Sequence, residues 1–301
     1  DRFLSIADKI IPEYERKHHC KIHISTSIQS PSTDTVAVNE DNTLFRNEDG
    51  SILFRPGGHG ALIYNLNNID SDVIIIKNID NVVPNNKLDI ITSYRGRLIA
   101  HIEHLYTKRN EILKTIADGQ TDSAVIESAL AFIREELMLS LDANLDELTV
   151  NEQVERIKDI LDRPMRICGM VKNSGEPGGG PFIVQDNNGN LSKQIIESSQ
   201  IDHKNAIQED IFKSSTHFNP VDLVCMTKDY RGSKYDLTKY IDNEASFISH
   251  KSKDGKPIKV LELPGLWNGA MSKWITIFVE VPAESFNPVK TVNDLFREVH
   301  C

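Results

Sequence analysis

Cysteine is scarce in this sequence. Its four cysteines, Cys20, Cys168, Cys225 and Cys301, are far apart and form no CxxC pair, so they support neither a zinc ribbon nor a disulfide framework. That usage fits a reducing cytoplasm. Long apolar runs are missing too: no stretch approaches the roughly 20 residues a membrane helix needs, and no signal peptide opens the chain. The expectation is a soluble, cytoplasmic protein with no membrane partner. Positive charge is in deficit, with a formal net charge of −10, which argues against a nucleic-acid partner held by bulk electrostatics. A local basic pocket for phosphate would not show in such a sum. There is no internal repeat and no low-complexity segment. The one glycine-dense loop is "GEPGGGP" at 175–181.

What is present is an ordinary globular composition, 39% hydrophobic over 301 residues, enough for one large or two modest domains with a sizeable core. The chain enters directly on a helical pattern, "FLSIADKIIPEYERKHH", with no strand before it, and is expected to be a piece of a longer α/β domain. "KIHISTSI" at 21–28 alternates apolar and polar and predicts a strand. "SDVIIIKN" at 71–78 carries an uninterrupted β-branched run and predicts a strand buried on both faces of a mostly parallel sheet. Two long helical patterns follow, "RLIAHIEHLYTKRNEILKTIADG" and "DSAVIESALAFIREELMLSL", then a third, "VNEQVERIKDILD". After Arg163 the texture returns to short strands: "RICGMVKN", "PFIVQD", "KQIIES", "VDLVCM", "IKVLEL" and "KWITIFVEVP". The expected division is an α/β domain over 1–96 and 164–301, interrupted by a helical insertion at 97–163.

Several stretches suit chemistry. Gly57-Gly58-His59-Gly60 lets backbone approach a flat or anionic ligand without a Cβ in the way, and it leads into "ALIYNL". It is equally well a tight turn. "NIDN" sets Asn78 and Asp80 where a buried strand should end, the usual ligand position in open α/β sheets, so Asp80 is a candidate for magnesium and, through it, phosphate. The alternative is loop capping by Asn and Asp. In "KNSGEPGGGP" Lys172 either meets an anion from a lid or sits on a long hairpin loop. "STHFNP" places His217 and Asn219 just before an apolar strand, although a lone histidine is more often packed or exposed than catalytic. "LPGLWNGAMSKW" offers rings and the Asn268 amide as a sugar wall, with Trp274 assigned to the core.

Five of these stretches, in order, resemble the signature series of the UDP-sugar pyrophosphorylases. "IQSP" at 28–31 resembles their Phe-x-Gln…Pro segment. "PGGHGAL" resembles their Pro-Gly-His-Gly turn with one extra glycine, and "NIDN" their Asn-x-Asp-Asn. "IIESSQI" at 195–201 is similar to Val-Glu-Tyr-Ser-Glu, and "FNPVKTVNDL" at 286–295 to Phe-x-Pro-Val-Lys-Thr-x-x-Asp-Leu. Over essentially the whole chain, "RPGGHGAL", "IKNIDNVVP", "GEPGGGPF", "STHFNPVD", "LPGLWNGAM" and "FNPVKTVNDL" look like a bacterial family known only as a domain of unknown function.

The resemblance implies a mixed, mostly parallel sheet of the nucleotide-diphospho-sugar transferase type, GT-A-like and Rossmann-like, with a helical insertion. It implies nucleotide and sugar-phosphate ligands and a magnesium cofactor. Asp80 would bind the metal and Lys290 a phosphate. Gly57, Gly58, His59 and Gly60, with Asn78, would lie against the nucleotide, and Gln29 would read a base edge. Glu197 would take sugar hydroxyls, with Lys172, His217, Asn219 and Asn268 on the sugar or phosphate side. The sequence departs from that family in two places. Nothing before "PGGHG" resembles its Gly-Gly-x-Gly-Thr-Arg loop, so an N-terminal part carrying that loop is expected to be missing and this piece alone to be inactive. Ser199-Gln200 also stands where the family has its second acidic position. The expected function is nucleotidyl transfer between a nucleoside triphosphate and a sugar 1-phosphate. The alternatives are a non-catalytic nucleotide or sugar binder on the same fold and a metal-dependent glycosyltransferase.

Overall fold

The apolar periodicity of the middle of the chain becomes a layer of helices on one face of a sheet. In chain order the described residues form α1 (Arg2–His18), β1 (Thr35–Val38), β2 (Phe54–Arg55), α2 (Ile63–Asn67), β3 (Ile74–Lys77), α3 (Leu88–Ala117), α4 (Ser123–Ala131), α5 (Val150–Leu161), β4 (Met165–Lys172), β5 (Gly180–Gln185), β6 (Leu191–Ile196), α6 (Ala206–Lys213), β7 (His217–Phe218), β8 (Asp222–Met226), β9 (Phe247–Lys253), β10 (Lys256–Glu262) and β11 (Ile275–Glu280). The structure is a computed structural model that describes residues 2–141, 145–173, 175, 178–186 and 189–300. None of its helices is long and apolar enough to cross a membrane among those residues.

Helix α3 begins at Leu88, well before the 97 expected from pattern. Its buried residues, Ile91, Tyr94, Leu98, Ile102, Leu105, Arg109, Leu113 and Ile116, recur every three or four positions and so line one side of the helix. Helix α5 starts on a capping box: Thr149 Oγ1 accepts the Glu152 N–H at 3.4 Å, and Glu152 accepts the Thr149 N–H at 2.8 Å. These helices pack on the central sheet, whose strand order is β11-β4-β8-β3 with β7 also against β4. Strand β4 is buried along nearly its whole length and alternates between two cores. Met165, Ile167 and Val171 join the helical core, while Cys168 and Met170 join a second core built around Ile63, Leu223, Leu237, Met271 and Trp274. A separate antiparallel sheet, β2-β1-β10-β9, covers a small core of Ala37, Phe45, Ile258 and Val260. The β9–β10 hairpin turns at Asp254 and Gly255, both at positive φ (51° and 78°), as a two-residue turn of this kind demands.

The fold is thus mixed α/β, and two sequence expectations are corrected. The central sheet is not mostly parallel. Among its described strands β4 and β11 pair in parallel, whereas β8 runs antiparallel to both β4 and β3, and β7 antiparallel to β4. Apolar β-branched runs report burial and carry no information on strand direction. Direction follows from the connections, and here three helices fall together between β3 and β4 instead of alternating with strands. Strand β3 is accordingly an edge strand, with Ile74 buried and Ile75 44% exposed. The second correction concerns 21–28, which is no strand. It finds no partner strand, and Ile28 is 83% exposed; alternation alone cannot form a strand without a ladder to join.

The junction of the helical layer with the sheet is ionic. Asp222, 1% exposed at the start of β8, accepts Arg95 Nη2 at 2.9 Å and Nε at 3.2 Å, and also the hydroxyl of Tyr94. Burial, and next the bond to Asp222, raises the Tyr94 pKa far above its ordinary value, so the phenol remains a donor. Removing one partner of such a buried set leaves the other uncompensated. Asp222→Ala is therefore expected to lower unfolding stability by on the order of 3 kcal/mol, measured by urea denaturation, with Asp222→Asn losing less. Equal stability of Asp222→Ala and the wild type would show that the clamp contributes nothing.

Candidate functional site

The motif around Asp80 and the motif around Lys290 are far apart in the chain and are stitched together by the Asn81 side chain and by backbone pairs. Asn81, 2% exposed, donates its Nδ2 to Ser285 O at 3.0 Å and accepts the Asn287 N–H at 2.8 Å. Asp80 O accepts the Val289 N–H at 2.9 Å, and Asn287 O the Val82 N–H at 3.3 Å. Beyond this stitch Asp294 Oδ2 accepts the N–H groups of Lys290 and Thr291 at 2.9 and 2.7 Å. Those backbone donors, Thr291 first, hold the Asp294 carboxyl below its ordinary pKa. The chain entering and leaving Lys290 is therefore fixed on both sides.

A cleft of about 390 Å³ opens over this stitch. Asn78, Asp80, Glu197, Asn219 and Lys290 all line it, together with Trp267. Asn219 and Pro220 belong to a break between β7 and β8, where Val221 takes φ 60°, a conformation that is costly for a β-branched residue. The side chain of Asn219 supports it by accepting the Val221 N–H at 3.0 Å. This local strain sits on the cleft wall, where bulged strands commonly re-aim side chains.

Glu197, just past the end of β6, takes the indole N–H of Trp267 on Oε1 at 3.0 Å. Trp267 in turn stacks on His59, ring centroids 4.2 Å apart and 20° from parallel. His59 Nδ1 accepts the Leu266 N–H at 3.0 Å, so the neutral ring carries its proton on Nε2, the nitrogen 3.9 Å from Glu197 Oε1. Burial lowers the His59 pKa, opposed by the nearby charges of Glu197 and Glu262.

The remaining candidates lie elsewhere. The glycine turn holds the 263–266 loop and does not line the cleft: Gly57 O accepts the Leu263 N–H at 2.8 Å, and a Cβ on Gly60 would stand 2.1 Å from Pro264 O. Gly58 is needed for its φ of 79°. The helix that follows is the five-residue α2. Gln29 donates to Thr33 Oγ1 at 3.1 Å, outside the cleft. Lys172 and His217 converge on Glu280, at 3.4 and 3.0 Å, and hold its pKa down, His217 foremost. The lid drawn from 172–181 includes Ser174, Glu176 and Pro177, which lie outside the described residues. Asn268 is buried and bonds Ile195 O at 2.9 Å and Gln200 Oε1 at 3.1 Å. It fastens the tryptophan loop to β6. Sequence reasoning set Trp274 in the core, where it lies, and offered the ring of Trp267 only as part of a wall, without its links to His59 and Glu197. It also missed the buried Asn81, although the "NIDN" motif contained it, and Asp222, which no local pattern marks. A larger groove of about 1600 Å³ beside β5–β6 contains Asn268 alone of all the candidates.

The sequence matches, over residues 1–301, the family described as "Domain of unknown function (DUF4301)". The chain belongs to that family. No curated protein matches it. Among solved structures, a mutant UDP-glucose pyrophosphorylase from Leishmania major in complex with UDP-glucose is 14% identical with a TM-score of 0.44, covering 97% of this chain and 51% of that one. UDP-glucose phosphorylase from Trypanosoma brucei is 15% identical with a TM-score of 0.47, covering 97% of this chain and 57% of that one. The chain spans about half the length of these structures. At such scores the likeness supports no statement about chemistry.

The depressed His59 pKa has a direct consequence for stability. The unfolded chain takes up this proton near the ordinary value of 6.5, whereas the folded one resists until lower pH, so the neutral ring's contribution is complete above that value and is lost as pH falls toward the folded pKa. Thermal melts between pH 7.5 and 5 are expected to fall less steeply for His59→Gln than for the wild type. Parallel curves would mean the imidazole is not held neutral.

Proposed function

We propose that the cleft binds a nucleoside triphosphate and a sugar 1-phosphate, or a related phosphorylated alcohol, and that the chain is the nucleotidyltransferase-like part of a magnesium-dependent enzyme of the UDP-sugar pyrophosphorylase type. One observation carries this reading: the backbone stitch through Asn81 brings Asp80 and Lys290 to the same cleft as Glu197 and Asn219. A carboxylate that can hold a cation and an ammonium, each on a braced backbone, together suit the oxygens of a phosphate. The ordered motif resemblance supports the same assignment.

Among the described residues no group of three or more His, Cys, Asp or Glu side chains stands ready to hold a metal. One carboxylate with the Asn78 amide fits magnesium, which keeps several of its waters and is shared with substrate phosphates, better than it fits a metal caged by protein. Asp80 would hold the ion, which when bound supplies neutralisation of phosphate oxygens. Lys290 provides a flexible point charge for a phosphoryl oxygen and stabilises charge as pyrophosphate leaves. Glu197 offers a fixed acceptor to ligand hydroxyls. No side chain is required as nucleophile, since phosphoryl chemistry of this kind rests on positioning and electrostatics.

Calorimetry with a nucleotide and sugar-nucleotide panel, with and without magnesium, tests the reading. Asp80→Asn is expected to remove the magnesium-dependent part of binding while leaving the melting temperature intact, because the stitch uses the backbone oxygen of Asp80. Lys290→Ala is expected to weaken phosphate-bearing ligands by about 10- to 100-fold. Unchanged affinity in both variants would remove the cleft from consideration. In the whole protein, pyrophosphate exchange identifies the transferase, binding without turnover a binder, and hydrolysis without exchange a glycosyltransferase.

A further inference from the structure

Trp267 is held in a way that core packing does not require. One face of its indole is covered by His59, its N–H is taken by Glu197, and its backbone carbonyl accepts Arg166 Nη1 at 2.6 Å. Arg166 is itself 0% exposed on β4 and is anchored by Nε to Thr276 Oγ1 at 2.9 Å. Ring, edge and backbone are thus fixed independently. Yet Trp267 is half-buried and lines the cleft, unlike Trp274, which is 5% exposed in the core. A rigid indole with a carboxylate locked at its edge, in the same cleft as a phosphate-competent lysine, presents three kinds of surface. They match an apolar C–H face, a hydroxyl and a phosphate. A pyranosyl phosphate carries all three.

Resting on the phosphate reading of the cleft, we infer that Trp267 is the platform on which the sugar ring of a hexose phosphate stacks, with Glu197, oriented by the indole N–H, accepting a sugar hydroxyl. The glycine turn then acts at one remove. His59 is a positioning residue that backs the platform, and Gly60 lets its segment approach the Pro264 carbonyl closely enough to do so.

The protein reports on this residue unaided, since it has two tryptophans and the other is buried. Glucose 1-phosphate, UMP and inorganic phosphate are titrated separately in the presence of magnesium, following tryptophan emission and, in parallel, calorimetric affinity. Glucose 1-phosphate is expected to change the emission and inorganic phosphate to leave it nearly constant. Trp267→Ala should weaken glucose 1-phosphate by about tenfold without altering the affinity for inorganic phosphate. Trp267→Phe, which keeps a ring in the loop and serves as the variant least disturbing to folding, should lose less. Glucose 1-phosphate that binds with unaltered emission and equal affinity in Trp267→Phe and Trp267→Ala would overturn the platform while leaving the phosphate reading standing. An emission change with UMP in place of glucose 1-phosphate would overturn it in favour of a base. Failure of the wild type to bind any of the three would overturn the underlying reading together with the inference.

Discussion

A buried asparagine amide holds the candidate site together. Asn81 uses both ends of its side chain on one distant segment, donating to Ser285 and accepting from Asn287, where neither backbone group has water to fall back on. An amide is the side chain that can do both at once. An aspartate would set a second acceptor against the Ser285 carbonyl, and a leucine would leave both groups unpaired, each at about 1–3 kcal/mol. The short bridge on either side of it follows from this pair. Lys290 reaches the cleft beside Asp80 because the backbone has no freedom to carry it elsewhere.

The sheet beneath is positioned by cations instead. Arg109, 0% exposed in the middle of α3, gives Nη1 to Arg163 O at 2.7 Å and Nη2 to Lys228 O at 3.1 Å, with its guanidinium 4.6 Å from the Tyr106 ring. It joins the helical layer to the chain entering β4 and leaving β8. Arg166 does the corresponding work on the opposite face, from β4 to the Trp267 carbonyl. A planar, many-donor guanidinium met by carbonyl oxygens, as in Arg109, can be buried at bearable cost, whereas Arg166 keeps its Nη2 without a hydrogen-bond partner. They make the separations of the layers specific in a way that aliphatic packing does not.

Legibility followed the range of the interactions involved. Helices α3, α4 and α5 and strands β4, β5, β6, β8, β10 and β11 were readable because periodicity is local, whereas β7 and β9 escaped it; the five candidates that line the cleft were readable because each sits in a short motif. Strand direction was not, because it depends on which connections carry helices, and the stretch 21–28 failed because alternation does not supply a partner strand. The glycine turn shows the same limit at a finer scale. Its residues signalled close approach, and close approach occurs, but to the carbonyl of Pro264. A Cβ-free surface announces that something comes near without saying what. Arg166, Asp222 and the pairing of Trp267 with His59 left no local trace, since each is defined by a contact with a residue far away in sequence.

The cleft therefore has two sides held by different physics. Around Asp80 and Lys290 the constraint is hydrogen bonding to backbone groups, by the Asn81 amide and the Asp294 carboxylate, and it leaves two exposed or half-exposed charged groups on the cleft wall. Around Glu197 it is a side-chain relay, His59 behind Trp267 and Trp267 on the carboxylate, whose outermost member is kept neutral by burial against the pull of two acids. A neutral imidazole can accept the Leu266 N–H; a protonated one cannot, and the loop that carries Trp267 would lose that hook. Protonation would thus loosen the tryptophan loop while the Asn81 stitch kept its geometry. Sequence motifs marked both sides alike, but the tryptophan side depends on a neutral imidazole and the Lys290 side on an ionised Asp294 carboxyl.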